Sequence, residues 1–100
     1  MVARDARHRA MASRAAAWAE ERFAVLAPPG RRSPAVTVIE NTRGLDVARL
    51  LGLVEARGYR IADGHGPLAG ATFRIGHLGD VTPTELEGCL AAIDGALAAL

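Results

Sequence analysis

The four residues Thr82-Pro83-Thr84-Glu85 leave the last part of this chain one conformation. Thr at an N-cap accepts from the backbone N–H of the third helical residue. Pro at the first helical position brings its preset φ and lacks an N–H that would be unpaired there, and Glu at the third position closes a capping box. A helix starts here. Leu86, Cys89, Leu90, Ile93 and Leu97 then recur on one face, so the helix buries a stripe and runs almost to Leu100, as expected of a natural C-terminus.

A stripe needs a partner, and the rest of the chain supplies five candidate elements. Ala6, Met11, Ala15, Trp18, Ala19 and Phe23 fall at helical spacings and predict a long amphipathic helix that stops before Pro28-Pro29-Gly30. Val47, Leu50, Leu51 and Val54 predict a second helix over about Asp46 to Arg57, closed at Gly58. Ala35-Val36-Thr37-Val38-Ile39 is short and β-branched and reads as a strand. Tyr59-Arg60-Ile61-Ala62 and Thr72-Phe73-Arg74-Ile75 alternate as two further strands, joined by a glycine-rich turn through Gly64, Gly66, Pro67 and Gly70. The element order is α-β-α-β-β-α, an α/β (two-layer α+β) domain whose three strands carry helices on one face. With Phe73 and Ile75 toward the helices, alternation sends Thr72, Arg74 and Gly76 to the uncovered face. The first strand is apolar on both sides, with Val36 and Val38 on one and Ile39 on the other, and Ile39 is placed beside Arg74 on the uncovered face.

Length and composition narrow the function. One hundred residues make one folding unit, residues 1–100. The apolar stretches fall short of the roughly 20 residues of a membrane span, so no membrane role is expected. A net charge of +1 supplies no field that tracks a phosphate backbone, so nucleic acid is not an expected partner. Met1 to Ala19 is Arg-rich, like a targeting peptide, but its Ala content fits a domain helix with a solvated face. A single cysteine, Cys89, excludes an internal disulfide and fits a reducing, cytoplasmic setting. All twelve basic residues are Arg; there is no Lys.

Each chemical motif has a bland rival. Gly64-His65-Gly66-Pro67-Leu68-Ala69 matches a G-x-G-x-x-A dinucleotide pattern, but that fingerprint must open a helix, and Pro67 and Gly70 lead here into a strand. His65, His77 and Cys89 lack metal-ligand spacing, and Cys89 belongs to a buried stripe. Ser13 and Ser33 are the only serines, and neither sits in a nucleophile elbow. Arg74 is different: in a short strand between Phe73 and Ile75 its guanidinium needs an anion. A salt bridge to Asp80 is the reading that spacing alone favours; a fork gripping a ligand carboxylate is the functional one.

The run Thr72-Phe73-Arg74-Ile75-Gly76-His77-Leu78-Gly79-Asp80-Val81-Thr82 closely resembles the FRIGHMG-x-x-T segment near the C-terminus of class V pyridoxal-phosphate aminotransferases, the alanine–glyoxylate and serine–pyruvate group. Arg7-His8-Arg9, Ser33-Pro34-Ala35-Val36-Thr37, Arg57-Gly58-Tyr59 and Gly64-His65-Gly66 agree in order, so the resemblance covers nearly the whole chain. It implies the small C-terminal domain of a fold-type-I pyridoxal-phosphate enzyme, a three-stranded antiparallel sheet backed by helices. Its uncovered face would turn toward an active site shared with a large domain, in an enzyme that is a homodimer.

By that resemblance Arg74 binds the substrate α-carboxylate, Gly76 lets substrate approach closely, and His77 is structural. The cofactor, pyridoxal phosphate, and the Lys and Asp that hold it belong to the absent large domain. The chain alone is expected to be inactive. The implied reaction moves an amino group between a small amino acid such as alanine or serine and a 2-oxo acid such as glyoxylate or pyruvate. Related lyases, desulfurases and epimerases share cofactor and fold. The competing reading is a free-standing, non-catalytic module for small-molecule binding or dimerisation.

Overall fold

The computed structural model of the chain describes residues 2–27, 36–76 and 81–100, with side chains from residue 6 onward. Helix α1 spans Val2–Arg22 and runs into a short strand β1, Ala24–Val25. Strand β2 is Val36–Glu40, α2 is Val47–Ala56, β3 is Ala62–Asp63, β4 is Thr72–Gly76 and α3 is Pro83–Ala99. The strands form one antiparallel sheet in the order β1-β2-β4-β3, with the helices packed on one side.

Local chemistry explains where the helices begin and end. Asp46 caps α2 by accepting from Arg49 N at 3.1 Å. At its other end Gly58 takes φ +87°, which an L side chain resists, while Gly58 N donates to Glu55 O and Tyr59 N to Val54 O. The capping box of α3 is complete: Thr82 Oγ1 accepts from Glu85 N, and Glu85 Oε1 accepts from Thr82 N.

Burial follows the sequence stripes except at Ala6, which is exposed, and at Leu51 and Leu97, which are half-buried. Trp18, Leu50, Val54, Leu90, Ile93 and Phe73 close the core. Phe23 meets Phe73 edge to face, centroids 5.3 Å apart. The pairs joining α1 to α3 advance together along both helices, from Arg14–Glu87 to Arg22–Asp94, so the two run in the same direction. The Arg14 guanidinium hydrogen-bonded to Glu87 holds that exposed carboxyl below its usual range. Among the described residues no helix is long and apolar enough to cross a membrane.

Three details differ from the sequence reading. The sheet has four strands, because Ala24 and Val25 leave α1 extended and pair with Glu40 and Ile39. The strand expected over Tyr59–Ala62 is Ala62–Asp63. Tyr59 N is committed to closing α2, and Ile61 is buried in the core from an irregular segment, so the alternation there records burial and not ladder pairing. Ile39 faces the helices: it pairs with Phe73 and is fully buried, while Val38 pairs with Arg74 and shares its face. Ala35, expected to open the first strand, lies outside the described residues, as do His77 and Asp80.

Candidate functional site

The face of the sheet opposite the helices, which no described helix covers, is laid out by the β-ladder register. Val38, Arg74 and Ala62 stand side by side on β2, β4 and β3, with Val36 and Gly76 as the neighbouring pair. Leu26, whose N–H donates to Val38 O, extends the row and is 40% exposed. Arg74 therefore rises from a floor of small and branched apolar residues, and it is half-buried. Its Nε donates to the main-chain oxygen of Asp63 at 2.9 Å. Among the described residues that is the guanidinium's only hydrogen bond, and no ion pair reaches it. Glu40, on the same face of β2, forms none with it. The expected alternative partner, Asp80, lies outside the described residues.

Gly76 ends β4 on that same face and is exposed. Its φ is not positive, and a Cβ built on it meets nothing within 4 Å. Neither backbone conformation nor packing among the described residues demands a glycine there. Thr72, expected on this face, is on it but buried, because the glycine-rich turn folds over it and Thr72 Oγ1 donates to Leu68 O at 3.2 Å. That turn contains a short 3-10 segment, Gly66–Leu68, which leads into β4, so it does not open a helix as the dinucleotide fingerprint requires.

The other sequence candidates stay apart from Arg74. Cys89 is on α3, inside the core, where burial pushes its thiol up. His65 is exposed in the turn. His8, from the Arg-His segment of α1, is buried, a placement its charged neighbours Arg7 and Arg9 did not signal. Sequence reasoning missed Asp63, which has no motif spacing to Arg74; the ladder that pairs Ala62 with Arg74 brings it there.

The side chains of this sequence include none that bonds pyridoxal phosphate as an internal aldimine. It has no Lys to bond the cofactor. At the start of α2 Asp46 Oδ1 accepts from Arg49 N, and at the start of α3 the capping box takes the Thr82 and Glu85 amides.

No protein-family model matches the chain, and no curated protein does. Solved structures do. Pyridoxamine-pyruvate aminotransferase from Mesorhizobium loti superposes with TM-score 0.80 at 27% identity, over 94% of this chain and 25% of that one. Ureidoglycine-glyoxylate aminotransferase from Bacillus subtilis gives TM-score 0.81 at 28% identity, over 93% of this chain and 25% of that one. An aspartate aminotransferase of subgroup IV from Thermus thermophilus gives 0.80 at 28%, over 94% and 27%. The chain spans about a quarter of the length of the structures it matches. In fold and in extent it is the counterpart of the small C-terminal domain of class V pyridoxal-phosphate aminotransferases.

Proposed function

We propose that this chain is the carboxylate-binding part of a pyridoxal-phosphate aminotransferase that moves an amino group between a small amino acid, such as alanine or serine, and a 2-oxo acid, such as glyoxylate or pyruvate. One observation carries the reading. Arg74 stands on the uncovered sheet face, its Nε held by a main-chain oxygen and no carboxylate paired with it among the described residues. An always-charged planar fork in an apolar setting suits a ligand carboxylate through two parallel N–H···O bonds. Amino acid and 2-oxo acid both carry that group beside the reacting carbon, so one Arg serves both half-reactions.

Gly76, one step along the same face, leaves room for the ligand where a side chain would stand. Val36, Val38 and Ala62 line the floor with apolar atoms, which lower the local dielectric and strengthen a charge contact made there. The cofactor supplies the amino-group chemistry and is held by a large domain outside these 100 residues.

The test begins with the DNA upstream of Met1. A continuous reading frame of roughly 250–300 further residues, the length of one large domain, is expected to encode the Lys. Expressed whole, it should transaminate alanine or serine with glyoxylate or pyruvate, whereas the 100-residue chain mixed with pyridoxal phosphate should show neither a cofactor band nor activity. An in-frame stop close upstream, or a stable cofactor adduct at a defined site on the short chain, would favour the free-standing module.

A further inference from the structure

We infer that Asp63 is a positioning residue that fixes the Arg74 guanidinium so that its terminal NH1/NH2 edge, and not its Nε edge, meets the carboxylate; this rests on the role proposed for Arg74. Asp63 Oδ1 accepts from Gly64 N at 2.7 Å and from Gly70 N at 2.8 Å, tying together the two ends of the glycine-rich turn. Gly64 N also donates to Thr72 O at 3.2 Å. The Gly64 N–H and the Asp63 C=O belong to one planar trans peptide, so they point in opposite directions, and holding the first aims the second. The aimed oxygen is the one that accepts from Arg74 Nε, at 2.9 Å.

The turn cannot drift. A Cβ at Gly64 would collide with Thr72 Oγ1 and Leu68 O, and Asn41 Nδ2 donates to Gly70 O at 3.1 Å. A guanidinium offers a carboxylate two paired edges, Nε with one terminal nitrogen, or both terminal nitrogens. With Nε committed to Asp63 O, only the second remains, and the plane of the bound carboxylate is set by the 63–64 peptide.

The Arg74 Nε–H signal of the ¹⁵N-labelled chain reads this directly. Wild type and Asp63→Asn, which keeps the Oδ1 acceptor, should protect that proton from solvent exchange. Asp63→Ala should exchange it at least about fivefold faster, the factor equivalent to about 1 kcal/mol for one hydrogen bond. If Asp63→Ala does not fold, Asp63→Glu, which keeps the charge but displaces the carboxylate by one methylene, is read the same way. Exchange unchanged from wild type in a folded Ala or Glu variant, even with lowered thermal stability, overturns the positioning role. No substrate enters this measurement, so that failure is separate from failure of the carboxylate role, which the kinetics of Arg74 variants decide.

Discussion

Trp18 is one of the largest fully buried side chains, and its indole N–H reaches its acceptor across the helix interface, in Asp94 Oδ1 at 3.1 Å. The same carboxylate accepts from Arg22 Nε at 2.6 Å and Arg22 NH2 at 3.1 Å, while the Arg22 guanidinium lies over the Trp18 ring. Asp94→Ala should cost about 1–3 kcal/mol by denaturant unfolding, because it strands a buried donor; Asp94→Asn, which keeps an acceptor, should cost less. Equal losses for the two would show that the Trp18 bond contributes little. Nothing in the sequence announces this cluster: Asp94 lies more than 70 residues from Trp18 and Arg22, and each reads as an ordinary helix residue. Arg74 was legible because it is a charge in an apolar strand, and strand alternation alone sends it to the face opposite Phe73. Asp63 was not, because the atom that meets Arg74 is its main-chain oxygen.

At the scale of elements, α2 and α3 were legible almost to the residue, since caps are local chemistry: Asp46 with Gly58 for α2, and the Thr82–Glu85 box for α3; α1, expected to stop before Pro28, ends at Arg22. Strand β1 left no trace, because two residues carry no period and only the ladder with β2 defines them. Likewise Tyr59 and Ile61 alternate for the sake of the core, while pairing is delayed to Ala62 by the closure of α2. The turn before β4 has little room for change. Gly64→Ala puts a methyl group into a backbone oxygen and a threonine hydroxyl, neither of which yields without moving the turn off Thr72. A loss of roughly 1–3 kcal/mol is expected, measured against Gly76→Ala, for which the chain has room and which should leave stability within about 0.5 kcal/mol. Comparable losses at both positions would contradict the close approach at Gly64.

At the scale of the whole molecule, the described residues close one sheet face with three helices and leave the other with Leu26, Val36, Val38 and Ala62 around a charged fork. The apolar character of both sides of the first strand was visible in sequence; which side the helices cover was fixed only by the register of β2 on β4. The chain on its own should therefore self-associate through this face in sedimentation at high concentration, and Val38→Glu should weaken association without lowering stability by more than about 0.5 kcal/mol. A strictly monomeric wild type would show the face to be complete in itself. The central claim concerns Arg74, and the decisive measurement is the Michaelis constant of the enzyme expressed from the extended reading frame, with wild type, Arg74→Lys and Arg74→Ala compared for amino acid and 2-oxo acid. Lys keeps the charge and loses the fork, so both variants should raise KM for both substrates by about ten- to 150-fold, equivalent to roughly 1.5–3 kcal/mol, with cofactor binding unchanged. An Arg74→Ala enzyme with wild-type KM and lowered thermal stability, reproduced by Asp80→Ala, would contradict the account and leave Arg74 as half of a structural ion pair.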